Sequence, residues 1–178
     1  MKFSHLALLA VLAMSVSPAA VLGQDQDVNE LIQETEMSVT HTENLEMAKA
    51  FFTGLEQRDL SIVEPLLAPH VLEVIPLSNT GAPEPWRTFD GKQAVLDYLG
   101  EIIKNFSRTV LVDKQFTVSH DGSVVFLEAK GDLTHAATGK SYNNVYVFKF
   151  TFAGGQIVHI SEYGNPVPYA KLAGAPLG

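Results

Sequence analysis

The sequence predicts an α+β fold in which helices pack on one face of a curved antiparallel sheet. Three observations predict it. Apolar residues recur at helical spacing in the first half of the chain. They alternate with a period of two after residue 110, and short turns containing Gly or Asp separate the alternating runs. Helices first and a hairpin-joined meander after is the pattern of helices segregated to one side of a sheet.

Leu45, Ala48, Phe52 and Leu55 share one helical face, and Thr40 with Glu43 three residues on has the form of a capping box. A first helix is therefore expected to end near Arg58. Asp59 can cap a second, short helix over residues 60–67, which Pro69 stops. Residues 70–76 alternate loosely and read as a strand. Residues 77–89 hold Gly81, Pro83 and Pro85 and read as a loop. Asp90 can cap a third helix over residues 91–106, with Val95, Leu96, Leu99, Ile102, Ile103 and Phe106 on its inner side. Strands are then expected over residues 110–118, 123–133, 141–152 and 156–163. They are joined at His120-Asp121-Gly122, Thr138-Gly139-Lys140 and Ala153-Gly154-Gly155, and Asn165-Pro166 with Pro168 ends the last one.

Composition narrows the function classes. The 178 residues are 46% hydrophobic and 18% charged, which suits one globular domain and opposes disorder. There is no Cys, so a disulfide scaffold, a thiolate metal site and a cysteine nucleophile are excluded. The net charge of -8 and the lack of a basic stripe argue against a nucleic-acid partner.

The N-terminus reads as a secretory signal. Lys2 is followed by an apolar run over residues 6–16, then by Pro18 and small residues up to Gly23, before the acidic Asp25 and Asp27. That run falls short of the roughly 20 residues a bilayer span needs. The expected organisation is a signal peptide over residues 1–23, a flexible acidic arm over 24–40, one domain over 41–172 and a tail over 173–178. The product would be secreted or periplasmic, with no membrane association once the signal is removed; an uncleaved signal anchor is the alternative. Asn105-Phe106-Ser107 is a formal glycosylation sequon near a helix end, with meaning only in a eukaryotic host.

The element order resembles the cone-shaped fold of the nuclear transport factor 2 superfamily, which includes ketosteroid isomerases, scytalone dehydratases and SnoaL-like polyketide cyclases. The local match is densest at the C-terminal end. Tyr142, Asn144, Tyr146 and Phe150 run on to Gly155, Ile157 and then Glu162-Tyr163-x-Asn165-Pro166, similar to the last strands of SnoaL-like domains and of phenazine-biosynthesis A/B proteins. The opening helix Ala48-Lys49-Ala50-Phe51-Phe52-x-Gly54-Leu55 and the Phe89-Asp90-Gly91-Lys92 helix start also fit. The resemblance covers residues 43–172 and implies a curved antiparallel sheet wrapped by three helices around an apolar pocket. It departs from ketosteroid isomerases at three places. Ile75 stands before Pro76 where those enzymes carry the proton-shuttling Asp, Phe51 replaces their helix-one Tyr, and their pocket Asp falls near Tyr146. The steroid chemistry is therefore not carried over, whereas Glu162 matches the phenazine-type Glu.

Glu162 is the sharpest catalytic candidate. Val158, Ile160 and Glu162 form one row of the last strand, apolar except for the carboxylate, so the row is expected to face inward. Burial would raise the pKa of that carboxyl toward the range useful for proton transfer. A carboxylate that merely binds backbone at a strand end is the alternative. His70, at the start of the first strand, is a second acid–base candidate, weighed against a rim histidine. Asn144 and Tyr146 are candidates to orient a ligand carbonyl or hydroxyl. Trp86 in the Pro-rich loop is a candidate lid, and Phe51 a candidate ligand contact. No histidines have metal-ligand spacing, and no phosphate loop, serine elbow or nucleotide fingerprint is present, so no metal or cofactor is expected. Val145 and Val147 make the outer side of the long strand apolar as well, and a homodimer through the sheet face would cover it. Two readings follow. One is an exported, cofactor-independent isomerase, cyclase or dehydratase acting on a small hydrophobic oxygenated molecule. The other is a non-catalytic carrier or sensor of such a molecule, or a dimerisation module.

Overall fold

The computed structural model describes residues 18–175. The chain divides into two compact units after Glu36. Residues 1–17 of the expected signal peptide lie outside the described part, and residues 18–36 of the first unit are helical. Within it Thr35 Oγ1 donates to the Leu31 carbonyl, and Val28, Leu31 and Ile32 are exposed. Helix α1 spans Pro18–Gln57. Helix therefore occupies residues 24–40, where the sequence suggests an arm, and Thr40 lies inside the helix rather than at its start. No Gly or Pro interrupts residues 24–53, so the backbone bonds continue unbroken. Among the described residues no helix is long and apolar enough to cross a membrane.

In the second unit, Asp59 caps the one-turn helix α2 (Leu60–Val63) by accepting from Ser61 N. A 3-10 turn then leads into β1 (Leu67–Ile75), β2 (Arg87–Asp90) and α3 (Lys92–Asn105). The meander follows as β3 (Phe106–Val118), β4 (Val124–His135), β5 (Ser141–Tyr142), β6 (Val145–Ala153) and β7 (Gln156–Gly164), and α4 (Pro166–Ala173) comes last.

The α+β class holds, with three differences from the expected layout. The sheet, in the order β2-β1-β7-β6-β4-β3, is mixed rather than purely antiparallel, because β1 pairs parallel with β7. The Pro-rich loop ends in β2, which pairs with β1 through Val74↔Thr88 and Ile75↔Arg87. Among the described residues there are four α-helices instead of three. Asn165 does not merely end the last strand: its side chain accepts from Val167 N and Pro166 takes the first helical position, so the dipeptide starts α4.

Among the register shifts in the sheet, those in β3 and β7 bear on the cavity. In β3 the register shifts between Val112 and Gln115, where Asp113 has φ 54°. In β7 a shift next to Val158 turns both Ile157 and Ile160 inward and leaves Val158 half-buried. The simple alternation expected for this strand thus breaks before Ile160.

The helices close the concave side. Phe51 and Phe52 meet Phe148 and Phe150 edge to face, with ring centroids 5.0 to 5.6 Å apart. Arg58, at positive φ just after α1, donates to the carbonyls of Ile103 (2.7 Å) and Phe106 (2.6 Å), placing a cation at the C-terminal end of α3. On the convex side Val112, Phe126, Val145, Val147 and Tyr163 are exposed, Val145 by 59%.

Candidate functional site

The curved sheet and the helices enclose a cavity of about 130 Å³. Phe51, Phe52 and Leu55 line it from α1, Tyr98, Leu99 and Ile102 from α3, and Tyr146 and Phe148 from β6. Leu77, Trp86 and Tyr169 also line it and are exposed, so they mark its mouth. The Trp86 ring sits 5.5 Å from that of Tyr169, and Trp86 N donates to the Ile75 carbonyl at 2.9 Å, tying the loop to β1. An apolar cavity of about 150 Å³ accepts benzene, so this one has room for about a single ring.

Three ionisable side chains converge inside. Glu162 lines the cavity from β7, and the Tyr98 hydroxyl donates to its Oε2 at 2.9 Å. Glu162 keeps some surface open to the cavity, yet protein atoms crowd its carboxyl. That crowding removes water from the charged form and outweighs the Tyr98 hydrogen bond, so the pKa rises to about 7. Tyr98 is itself raised well above the usual tyrosine value, first by burial and then by the charge of Glu162, which keeps its proton available for donation. Its ring stacks on Phe89 at 4.2 Å between centroids, and the Arg87 guanidinium lies 4.8 Å from the Phe89 centroid and 5.4 Å from that of Tyr98.

Glu73 on β1 is the third. It is 1% exposed, and burial, then the neighbouring Glu162, raise its carboxyl well above the usual range. Its Oε2 is a buried oxygen with no hydrogen-bond partner. Leaving such an atom unpaired is costly, and protonation of the carboxyl lowers that cost.

The expected site residues divide sharply. Glu162, Phe51, Asn144, Tyr146 and Trp86 all line the cavity. His70 does not: it is exposed on β1, because Val71, Glu73 and Ile75 are the buried row of that strand and His70 belongs to the other. Asn144 lines the cavity with its amide already committed. Its Nδ2 donates to Tyr142 Oη and to the Asn165 carbonyl, each at 3.0 Å, and its Oδ1 accepts from Val145 N at 2.8 Å. The Tyr146 ring fills the space left by two glycines. A Cβ on Gly131 would stand 2.9 Å from it, and one on Gly164 3.1 Å. Glu73 and Tyr98 are absent from the sequence-based set, although Val71-Glu73-Ile75 has the same apolar-row-plus-carboxylate form as the row that points to Glu162. Among the described residues no group of three His, Asp or Glu side chains is placed to hold a metal ion.

A cone-shaped α+β frame around an apolar, acid-containing cavity defines a domain of the nuclear transport factor 2 type. The SnoaL-like domain family matches residues 48–160, and the chain belongs to that family. No curated protein matches the sequence. Solved structures share the fold at low identity. A candidate isomerase of Bacillus subtilis is 21% identical with a TM-score of 0.66, covering 78% of this chain and 99% of its own. A candidate polyketide cyclase of Xanthomonas campestris is 18% identical with a TM-score of 0.63, covering 73% and 96%. A phenazine biosynthesis-related protein of Pseudomonas aeruginosa is 15% identical with a TM-score of 0.66, covering 81% and 93%.

Proposed function

We propose that this protein is an exported, cofactor-independent enzyme that moves a proton on a small hydrophobic oxygenated molecule, in an isomerase, cyclase or lyase reaction. The observation that carries this reading is Glu162, an acid with a pKa of about 7 inside an aromatic-walled cavity and hydrogen-bonded to Tyr98. A group that is half protonated near neutral pH is suited to both halves of a proton transfer. The apolar wall limits competing water, and two fold neighbours carry the names candidate isomerase and candidate polyketide cyclase, reaction classes of this kind. Export rests on the sequence of residues 1–23 alone. A homodimer through the convex face would cover Val145, Val147, Phe126 and Tyr163.

Native mass spectrometry of the protein from its own host is expected to reveal a co-purifying ligand of about one ring. Glu162→Gln is then expected to lower turnover of that ligand about 100-fold or more while leaving binding within a few-fold. Binding with no turnover by the unaltered protein would leave a carrier or sensor instead. Sedimentation that shows a monomer at micromolar concentration would remove the dimer.

A further inference from the structure

We propose that the Arg87 guanidinium is a carboxylate-binding fork at the rim of the cavity, and that the molecule the cavity takes is a small ring compound carrying a carboxylate. This rests on the reading of the cavity as a ligand site and adds to it the charge of the guest.

The chain has three arginines, and two of them are committed within the protein. Arg58 donates to the carbonyls of Ile103 and Phe106. Arg108 donates from Nε and Nη2 to Asp132 Oδ2, at 3.0 and 2.7 Å. Arg87 differs. Among the described residues its guanidinium has no hydrogen-bond acceptor, and its ionic neighbour is Glu101 Oε2, 3.6 Å from Nη2. That distance is too long for a hydrogen bond. The two side chains are also 40% and 60% exposed, and an ion pair in solvent contributes little. A guanidinium carries five N–H donors in a planar fork that matches the two oxygens of a carboxylate. Those of Arg87 are left for water or a guest.

The fold holds the fork in place. Strand β2 is the edge of the sheet beside β1, and along it Thr88 and Asp90 are exposed while Arg87 and Phe89 are half-buried. The Arg87 guanidinium lies over the Phe89 and Tyr98 rings, which are themselves stacked on each other. Aromatic faces restrict a long side chain before any ligand arrives, so less entropy is lost when the fork closes on one. The preceding residue, Trp86, belongs to the mouth, and Arg87 lines the cavity beside it.

Charge then sets the direction of the guest. Among the described residues lining the cavity, Arg87 is the one Lys or Arg, and Glu73 and Glu162 are the acids. Tyr98 links the two ends: its ring lies under Arg87 and its hydroxyl donates to Glu162. A ring compound with a carboxylate fits one way round, with the head group on Arg87 at the rim and the ring between the aromatic walls. The reverse would set a carboxylate against Glu162 in an apolar enclosure. The net charge of -8 does nothing to attract anions at a distance, so recognition of a carboxylate must come from this local, two-pronged contact.

The test is titration calorimetry of the full-length protein with two single-ring probes, phenylacetate and its neutral amide, phenylacetamide. At pH 6 more than half of Glu162 is protonated, which weakens its repulsion of an anion. Phenylacetate is expected to bind roughly tenfold or more tighter than phenylacetamide. Arg87→Met keeps the apolar stem and is expected to abolish that preference, with phenylacetamide binding within a few-fold of the unaltered protein. Arg87→Lys keeps a point charge without the fork and is expected to retain part of it. Arg108→Met removes the same charge elsewhere and is expected to leave it intact, with circular dichroism as the check on folding. Glu101→Gln gives a readout that leaves Arg87 in place. With the competing carboxylate gone, phenylacetate is expected to bind about two- to threefold tighter and phenylacetamide the same. Equal affinity of the two probes for the unaltered protein would overturn the fork and spare the cavity as a ligand site. So would a preference that survives Arg87→Met, a preference lost equally in Arg108→Met, or weaker phenylacetate binding in Glu101→Gln. Failure of both probes to bind the unaltered protein would remove the ligand reading of the cavity and the fork with it.

Discussion

Two polar clusters line the same cavity and differ in how their hydrogen bonds are spent. Tyr142, Asn144, Tyr146 and Asn165 form a closed set, in which both Asn144 donors and its acceptor are taken within the protein. Glu73, Tyr98 and Glu162 form an open set, joined by one hydrogen bond and leaving Glu73 Oε2 bare. Residue type alone would rank an asparagine and a tyrosine on the long strand beside the glutamates as ligand contacts. The partner count separates them: a satisfied buried network specifies the fold, and an unsatisfied one leaves a polar group still to be paired.

The largest effects come from breaking each set at its centre. Asn144→Ala would strip partners from Val145 N, the Asn165 carbonyl and Tyr142 Oη together. A loss of about 2 to 4 kcal/mol is expected in chemical denaturation. The pH at which Glu162 titrates should stay where it is, and a large shift of that pH would show that the two sets are one network.

The open set behaves in the opposite sense. The folded chain holds the Glu162 proton up to about pH 7, whereas an unburied glutamate releases it near 4.5. Between those values the folded state binds more protons, so stability falls as pH rises from about 4.5 to 7 and levels off above, as far as this group is concerned. The span amounts to as much as about 3 kcal/mol. Glu73, raised for the same reason, carries the decline to higher pH. Glu162→Gln is therefore expected to be more stable than the unaltered protein at pH 8 and similar at pH 4.5. Equal pH slopes for the two proteins in denaturant titrations would refute the buried-acid description.

The same contrast explains what could be read from the sequence. The α+β class, the third helix and the four long strands follow from local periodicity, which the tertiary structure preserves. Glu162 was readable as the one acid of an inward row, although the bulge at Val158 means that the row does not run through the whole strand. Glu73 was equally readable between Val71 and Ile75. Tyr98 was readable as well, three residues after the inward Val95 and beside Leu99. His70 fell on the wrong side because one residue of register moves a strand side chain to the opposite face. Asn165-Pro166 is ambiguous in isolation, since the pair that ends a strand also caps a helix. The parallel contact of β1 with β7 joins segments about 90 residues apart, and no local pattern announces it. Without that contact the proximity of Glu73 and Glu162 is invisible.

The smallest and most diagnostic change is Tyr98→Phe. The ring and its stack on Phe89 would remain, and only the donor to Glu162 Oε2 would go. That hydrogen bond is the one influence that lowers the Glu162 pKa against its burial, so its removal must raise the pKa further above about 7. Fewer Glu162 carboxyls are then ionised at neutral pH, and the acid limb of the rate profile moves to higher pH. A hydrogen bond to a charged group is worth about 1.5 kcal/mol, which corresponds to roughly a tenfold loss of rate at pH 7. If Glu162 acts as the base, part of that loss should return at pH 8.5, where the carboxyl ionises again. A loss that is the same at every pH would assign Tyr98 to contact with the substrate rather than to the poise of Glu162. An unchanged profile would place Glu162 outside the rate-determining proton transfer, and the open cluster would then differ from the closed one only in its missing partner.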